Sequence, residues 1–315
     1  MVALDPDVIA MLEAARAAGS RPFPEMGVEA ARAMVEASPA GPAPDMREVR
    51  DGSFPGPHGT VPVRVYRPEE AEMIPLPVIV YFHGGGMVAG SVRSFDSLAR
   101  HLAASCGAVV VSVDYRLAPE HTYPVATEEA YAALEWTAAH TGELRVDGSR
   151  MAVAGDSAGG SLAAAVALRA RDESGPALVT QLLLYPGLER ARDRPSMVEF
   201  AEGPILSRAD VVWMKAQYLG ADEAADTPQG VPALAEDLSG LPDAVVVTAE
   251  ADPLRDGAEE YGHRLRAAGV PTALLRYPGV CHGFMAQAGW IRRASTAFAE
   301  VGALARAKFG RSLEG

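Results

Sequence analysis

Short, continuous runs of apolar residues recur along the chain and alternate with longer segments in which apolar residues return every three to four positions. Residues 78–82 and 109–113 are two such runs, and runs of this kind are typical of strands buried on both faces of a parallel sheet. The alternation of strand and helix patterns predicts an α/β fold with a mostly parallel, doubly wound sheet. Further short runs occupy 152–154, 181–185, 244–248 and 272–277, and the helical segments are 94–105, 124–140, 158–173 and 256–268.

The N-terminal region follows a different pattern. Two helical patterns, at 5–18 and 28–37, are followed by a segment rich in Pro and Gly at 39–44, which is typical of a linker. Apolar residues then occupy alternate positions over 61–65, which predicts an exposed antiparallel strand. The first 45 residues are therefore expected to form an appendage to the sheet.

A second departure lies between the strands near 184 and 246, where about 60 residues show one helix and no evident strand. Ser207 and Asp210 form a capping box that opens this helix, which runs to about residue 218. We interpret the segment as an insertion that joins the N-terminal helices over one end of the sheet. The predicted division is a helical cap of 1–45 and 188–235, and a catalytic domain of 46–187 and 236–315.

Charge narrows the classes of partner. The chain has 28 basic and 41 acidic residues and a net charge of −13, which disfavours nucleic acid and anionic membrane surfaces. No apolar run reaches the roughly 18–20 residues that span a bilayer, and residues 1–7 lack the pattern of a secretory signal. We expect a cytoplasmic protein without stable membrane association, in which Cys106 and Cys281 stay reduced.

The strongest chemical signal is Gly-Asp-Ser-Ala-Gly at 155–159. It follows an apolar strand and precedes an Ala-rich helix. A sharp turn from strand to helix holds a serine in a strained conformation with its hydroxyl projecting from the sheet edge, and side chains on the flanking glycines would collide with that turn. The alternative is a glycine-rich turn with a surface serine. The strand–turn–helix context favours Ser157 as a nucleophile.

A second signal is His-Gly-Gly-Gly at 83–86, directly after the run at 78–82. The motif therefore lies at the carboxyl end of a strand, where open α/β sheets bind ligands. Three glycines let the backbone approach a ligand and direct N–H groups at an oxyanion. A phosphate loop is the alternative, but it requires a Lys-Ser/Thr pair or a different glycine spacing.

A serine nucleophile requires a base, and in α/β-hydrolases the order along the chain is serine, acid, histidine. Only His263 and His282 follow Ser157. His263 lies within an amphipathic helical pattern, whereas His282 lies in a loop after the strand at 272–277, and loops at strand ends commonly carry catalytic groups. We predict that His282 is the base.

The acid should follow an earlier strand. Asp252 comes about four residues after the run at 244–248, and the proline that follows it restricts the turn. Glu250, nearer to the strand end, is an alternative. Asp256 is expected to cap the next helix. Asp252 is the preferred acid, in part because of the family resemblance described next.

With these residues in place, the chain resembles the hormone-sensitive-lipase family of bacterial esterases over nearly its whole length. The Asp before Ser157 is typical of the subgroup with Gly-Asp-Ser-Ala-Gly. The matching blocks are 83–86, 114–120 (Asp-Tyr-Arg-Leu-Ala-Pro-Glu), 155–159, 252–256 and 282–284.

The resemblance implies an α/β-hydrolase fold with an eight-stranded mixed sheet and a helical cap. It also implies that the amides of Gly85, Gly86 and Ala158 form the oxyanion hole, with Gly84 as a further candidate. Structural rather than catalytic roles are implied for His83, Arg116 and Glu120.

These observations predict a carboxylic ester hydrolase that uses a Ser-His-Asp triad and an acyl-enzyme, with no metal ion or organic cofactor. The histidines lack the spacing of metal ligands, and the two cysteines stand alone. The alternative from another class is a non-catalytic receptor for a small ligand, since related plant receptors share the fold. Those receptors lack the catalytic histidine, which this chain retains as His282.

The expected substrate is a small ester with a short- to medium-chain acyl group. On the helix after Ser207, an apolar stripe of Val211, Trp213, Met214 and Tyr218 is predicted to line the acyl pocket, and packing of the cap onto the core is the alternative explanation. The acidic chain shows no apolar helix with a basic polar face that would hold a lipid surface. A homodimer is a possible assembly.

Overall fold

The computed structural model describes residues 2–38, 41–69, 75–220 and 225–310. Within these ranges, eight strands form one sheet. The strands are β1 (Met46–Gly56), β2 (Gly59–Pro68), β3 (Leu76–Phe82), β4 (Val109–Val113), β5 (Val146–Asp156), β6 (Thr180–Leu184), β7 (Asp243–Ala251) and β8 (Thr272–Cys281). Their spatial order is β1-β2-β4-β3-β5-β6-β7-β8. Pairing is antiparallel from β1 to β2 and from β2 to β4, and parallel across the rest of the sheet, which confirms the predicted mostly parallel sheet.

Helices cover both faces of this sheet. The helices are α1 (Pro6–Ala17), α2 (Phe23–Ala37), α3 (Asp96–Cys106), α4 (Val125–Ala139), α5 (Thr141–Leu144), α6 (Ala158–Asp172), α7 (Pro195–Glu199), α8 (Arg208–Leu219), α9 (Arg255–Ala267) and α10 (Arg292–Phe309). Apolar side chains of α4, α6 and α9 belong to one core cluster, and those of α3 and α10 belong to the other. This arrangement is the doubly wound architecture predicted from the alternation of patterns.

The short strand β4 shows why its sequence reads as an unbroken apolar run. Val109, Val111 and Val113 lie in the cluster on one face of the sheet, whereas Val110 lies in the cluster on the other face. Successive side chains of a strand point to opposite faces, so a strand with helices on both sides must be apolar at every position. The sequence signal and the two-layer packing therefore have the same cause.

Three parts of the fold differ from the sequence-based expectation. The strand over 61–65 lies inside the sheet between β1 and β4, so Val61 and Val63 are buried rather than exposed. Helix α2 begins five residues earlier than predicted, at Phe23, with a break at Gly27, whose φ is 76°. The strand β1 and the helix α10 were not predicted, and β1 is a largely exposed edge strand without alternating burial.

The segment between β6 and β7 contains α7, α8 and a 3-10 turn at Pro232–Leu234, and its described residues contain no strand. The predicted capping box is confirmed: the Asp210 N–H donates to Ser207 Oγ at 3.1 Å, and the Ser207 N–H donates to Asp210 Oδ2 at 2.9 Å. Helix α2 packs on α8, where the Phe23 N–H donates to Asp210 Oδ1 at 2.7 Å. Helix α1 instead buries Val8 and Leu12 in the sheet core.

Candidate active site

Ser157 lies at the turn from β5 into α6, at the carboxyl edge of the sheet. Its φ of 53° and ψ of −116° are values that residues other than glycine rarely adopt. A Cβ on Gly155 would collide with the Gly159 carbonyl, and a Cβ on Gly159 would collide with the Phe82 carbonyl. The Ser157 N–H donates to the Leu184 carbonyl of β6 at 2.8 Å. The predicted sharp turn between strand and helix is confirmed, and only glycines fit beside it.

A chain of three hydrogen-bonded side chains runs from the loop after β7 to this turn. His282 Nδ1 lies 2.7 Å from Asp252 Oδ2, and His282 Nε2 lies 2.8 Å from Ser157 Oγ. The Leu254 N–H donates to the other oxygen of Asp252 at 2.8 Å. Asp252 is fully buried. Because a carboxylate can only accept, Nδ1 carries the imidazole proton, and Nε2 is left to accept the proton of the serine hydroxyl.

The alternative residues considered from the sequence are engaged elsewhere. Glu250 accepts a hydrogen bond from the Gly279 N–H at 2.9 Å. Asp256 accepts one from the Ser196 N–H at 2.7 Å. It lies inside the first turn of α9 and not at the N-cap, so the predicted capping role is wrong. His263 is exposed on α9. Each of the three side chains lies outside the hydrogen-bonded chain described above.

The loop after β3 turns sharply through Gly85 and Gly86, whose φ values are 105° and 68°. His83 supports this loop: its Nδ1–H donates to the Gly84 carbonyl at 2.7 Å, and its ring stacks on Tyr115 at 4.4 Å between centroids. Burial lowers the pKa of His83, which favours the neutral ring. The expected structural role of His83 is therefore confirmed.

Gly86 of the loop after β3 and Ala158 of α6 line the same cavity as Ser157. Ala158 is the first residue of α6, and the first N–H groups of a helix have no partner within it. The N–H of Gly84 interacts instead with the Asp156 carboxylate, which also accepts a hydrogen bond from the Tyr81 hydroxyl at 2.7 Å. Burial raises the pKa of Asp156 to about 6, although both hydrogen bonds oppose the rise.

Arg32 of α2 binds backbone carbonyls in and near the loop after β3. Its Nε–H donates to the Val88 carbonyl at 2.8 Å and its Nη2–H donates to the Ala118 carbonyl at 2.9 Å. The same guanidinium forms an ion pair with Glu120 at 2.6 Å. Arg116 pairs with a buried glutamate of α4. The predicted structural roles of Arg116 and Glu120 are confirmed by these contacts.

A cavity of about 60 Å³ lies beside Ser157. Of the predicted apolar stripe, Val211, Met214 and Tyr218 line it. The structure does not bring Trp213 to its wall: the indole lies on the other side of α8 and stacks on Phe23. The rest of the wall comes from the loop after β3, the start of α6, the segments around 187–188 and 230–231, and the side chains of Leu206, Leu219 and Leu254.

Two residues at the site were missed by the sequence analysis. Tyr185 lies behind His282, with the two rings edge to face at 5.1 Å between centroids. Lys215 lines the cavity, and burial lowers its pKa to about 8. A signal for Lys215 was present, because Val211, Lys215 and Tyr218 recur at the spacing of one helical face.

Metal sites, membrane-spanning helices and further cavities bear on the choice of site in the described ranges. These ranges contain no group of three or more His, Cys, Asp and Glu side chains that could hold a metal ion, and no helix long and apolar enough to cross a bilayer. A larger open groove of about 520 Å³ lies at the amino ends of β6 and β7 and contains none of the predicted site residues. Ligands of open α/β sheets bind at the carboxyl ends, so the smaller cavity is the candidate site.

Comparison with known proteins places this site in a family. Residues 79–286 match the α/β hydrolase fold family. Esterase LipI of Mycobacterium tuberculosis is 40% identical over 301 residues, covering 94% of this chain and 92% of the relative. Carboxylesterase NlhH of the same species is 44% identical over 265 residues, covering 82% of each chain. A hyperthermophilic esterase from Pyrobaculum calidifontis superposes with a TM-score of 0.89 at 40% identity, covering 97% of this chain and 98% of the other. The chain therefore belongs to the hormone-sensitive-lipase-like family of α/β hydrolases and is a carboxylesterase.

Proposed function

We propose that the chain hydrolyses carboxylic esters through a covalent acyl-enzyme on Ser157, with His282 as general base and Asp252 as the residue that orients it. The observation that carries this proposal is the continuous hydrogen-bonded chain from Asp252 through His282 to Ser157 Oγ, which ends at the wall of a cavity. A nucleophile, a base and an orienting group in hydrogen-bond contact are the requirement of nucleophilic acyl transfer.

The proposed reaction has two halves. Ser157 Oγ bonds to the ester carbonyl carbon while its proton passes to His282 Nε2, and the carbonyl electron pair moves onto oxygen. The tetrahedral species collapses as the carbon–oxygen bond to the alcohol breaks, and the imidazolium returns its proton to the departing alkoxide. Water then attacks the acyl-enzyme by the same route, releasing the acid and restoring the serine. These steps draw on no metal ion or organic cofactor.

The oxyanion is assigned to the backbone amides of Gly85, Gly86 and Ala158. Support comes from the positive φ values at the two glycines and from the position of Ala158 at the start of α6. Gly84 is a weaker candidate because its N–H already interacts with Asp156. Each aligned donor contributes about 3 kcal/mol to stabilising such a transition state.

We also propose a preference for short- to medium-chain acyl groups. The cavity beside Ser157 measures about 60 Å³ and is closed on one side by Met214, which lies against Gly86. A long acyl chain would have to displace this wall. Residues 1–45 and 188–235 are proposed to act as a cap over the catalytic domain of 46–187 and 236–315, and the packing of α2 on α8 supports this division.

We also propose a cytoplasmic location. The buried, unpaired thiols of Cys106 and Cys281 agree with a reducing compartment. Light scattering of the purified chain across a range of concentrations distinguishes a monomer from a homodimer.

The assignment of the nucleophile is tested by covalent labelling. An aryl phosphonate should modify one serine, and peptide mapping should identify it as Ser157. Ser157→Ala should lose the label and about 10⁴- to 10⁶-fold in kcat. Ser161→Ala is the matched control, because Ser161 lines the same cavity but its hydroxyl donates to the Gly187 carbonyl at 2.8 Å. Wild-type turnover in folded Ser157→Ala would contradict the mechanism, and absence of labelling with tight reversible ligand binding would favour the receptor alternative.

Chain-length preference is tested with p-nitrophenyl esters from acetate to palmitate at a fixed concentration below their solubility limits. We expect the highest kcat/KM at about four to eight acyl carbons, since the cavity is small and the acidic surface does not favour anionic lipid. A maximum at long chains together with a jump above the critical micelle concentration would contradict this preference.

A further inference from the structure

Lys215 is one of only two lysines in the chain, and it lies on the face of α8 that lines the cavity beside Ser157. Its neighbours on that face, Met214 and Tyr218, are buried. A lysine in such a position places a cation at the wall of a mainly apolar pocket. An unpaired charge in these surroundings is costly, so its presence requires an explanation that the ester hydrolysis described above does not supply.

The charged groups that face Lys215 are Glu189 and Arg190, on the segment after β6. Both have other partners: Glu189 pairs with Arg194 at 2.8 Å and Arg190 with Asp226 at 2.6 Å. On its own helix the nearby ionisable group is Tyr218, whose pKa is raised by burial so that the phenol stays neutral. Lys215 itself forms no ion pair with any of the described residues. Within the described part of the chain, Lys215 thus lies at the cavity wall without an anionic side chain at ion-pair distance.

The cavity suits the acyl part of an ester better than the alcohol part. The alcohol must leave the site and water must enter before the second half of the reaction, so the alcohol requires the open side. The acyl group stays attached to Ser157 through both halves and can occupy an enclosed pocket. A charged group at the far end of the acyl chain would then lie near Lys215.

We propose, building on the esterase function proposed above, that Lys215 selects esters whose short acyl chain ends in a carboxylate, which are half-esters of small dicarboxylic acids. A carboxylate that enters an apolar pocket loses its hydration and needs a charged partner. The net charge of −13 repels anions at long range. The selection must therefore come from a short-range contact inside the cavity, which Lys215 is placed to make.

Three ethyl esters of matched size separate the roles of charge and shape. Ethyl hydrogen succinate carries the terminal carboxylate, ethyl 4-methylpentanoate replaces it with an uncharged branched group of the same number of heavy atoms, and ethyl 4-oxopentanoate offers a neutral acceptor. The measured quantity is the ratio of kcat/KM for the succinate ester to kcat/KM for the methylpentanoate ester. Both esters use the same nucleophile and base, so changes in that machinery cancel in the ratio.

Lys215→Met should lower this ratio about 10- to 100-fold, the range expected for a hydrogen bond to a charged group. Arg208→Met is the matched control, because Arg208 is exposed on the same helix and its loss changes the net charge equally. That control should alter the ratio by less than about twofold, in keeping with a screened surface charge. An unchanged ratio in Lys215→Met overturns the inference. An equal loss for the 4-oxopentanoate ester would also overturn it, since Lys215 would then serve any hydrogen-bond acceptor.

The pH dependence gives a second readout. Burial lowers the pKa of Lys215 to about 8, so the ammonium is charged below this pH and neutral above it. The wild-type ratio should fall as pH rises through about 8. In Lys215→Arg the guanidinium stays charged, and the ratio should remain high up to pH 9. A wild-type ratio independent of pH between 7 and 9 would contradict the proposal.

These outcomes separate the two proposals. If no ester is hydrolysed by wild type, the function proposed for Ser157 fails. If wild type, Lys215→Met and Arg208→Met all hydrolyse ethyl 4-methylpentanoate and the ratio does not change, only the role of Lys215 is overturned. Thermal unfolding of each variant identifies any loss of folded protein.

Discussion

Two regions meet at the cavity and are built in different ways. One is the sheet edge, meaning the loops after β5, β7 and β8 that carry Ser157, Asp252 and His282. Backbone pairing positions these loops, since β5 to β8 form one parallel ladder. The other is the helical side, meaning α2 and α8. There the contacts are made largely by side chains, including the stacking of Phe23 on Trp213.

The two regions differ in how far their structure can change without disturbing the hydrogen-bonded chain from Asp252 to Ser157. A shift of the sheet edge would break ladder hydrogen bonds and the chain from Asp252 to Ser157 together. A substitution on the helical side replaces a single side chain of the cavity wall, to which Met214 and Lys215 both contribute. If the helical side selects the acyl group, as proposed above, this selection can vary while the geometry at Ser157 stays constant.

The largest effect is expected for the acid at the sheet edge. Asp252→Asn should lower kcat by about 10⁴-fold, because an amide in place of the carboxylate favours the wrong tautomer of His282. Glu250→Gln is the control, since Glu250 binds the Gly279 N–H outside the hydrogen-bonded chain, and it should keep activity within about tenfold. The measurement is steady-state kinetics on a short-chain ester. Comparable losses in both variants would show that the sheet edge tolerates no change in charge, whichever carboxylate is altered.

A second prediction concerns the buried carboxyl next to Ser157. The pKa of Asp156 is raised from 3.8 to about 6 by burial, so the folded state favours its protonated form. The resulting contribution to stability is fully present below pH 3.8 and is lost as pH rises through about 6. A rise of this size corresponds to about 3 kcal/mol. The free energy of unfolding of wild type, relative to Asp156→Asn, should fall by about that amount over this window.

Urea denaturation of the two proteins between pH 4 and 7 measures this difference. The substitution removes the titrating group, so the effects of other carboxylates cancel between the two proteins. A difference that stays constant with pH would show that the pKa of Asp156 is not raised in the folded state.

A smaller effect is expected where Arg32 joins α2 to the loop after β3. Arg32→Met removes the hydrogen bonds to the Val88 and Ala118 carbonyls and should loosen the loop that holds Gly85 and Gly86. A misplaced oxyanion donor lowers kcat, and a loss of about 10- to 100-fold is expected, with KM changed less. Arg93→Met is the control, because that guanidinium is 75% exposed and, among the described residues, pairs with Glu36 alone. Equal kcat in the two variants would show that α2 does not position the loop.

The smallest effect is expected from substitutions that test which face of α8 contacts the substrate. Met214→Ala should enlarge the cavity and raise the kcat/KM of longer acyl esters relative to butyrate by several-fold, because one buried methionine accounts for a few kcal/mol at most. Trp213→Ala, on the opposite face of the helix, should leave the chain-length profile unchanged while weakening the contact with Phe23. A shifted profile in Trp213→Ala would place the acyl group on the other side of α8.

The sequence by itself was sufficient for most of the sheet and for the sharp turn at Ser157, because both depend on local rules. Strands buried on two faces must be apolar throughout, as β4 is, and the turn at Ser157 admits only glycine at 155 and 159. The edge strand β1 was missed because it is largely exposed, with Phe54 as its one fully buried position, and shows no periodicity.

Other features were decided only by the tertiary structure. Spacing left Glu250 as an alternative to Asp252, since both come soon after the apolar run at 244–248. The position of His282 distinguishes them, because its Nδ1 contacts Asp252. On α8 the apolar stripe predicted a cavity-lining face that includes Trp213. In the structure, Met214 and Lys215 line the cavity, whereas Trp213, at the preceding position, stacks on Phe23. A pattern of apolar residues shows that a helix has a buried side. Which side chains meet the substrate depends on the rotation of that helix against its neighbours, which long-range packing sets.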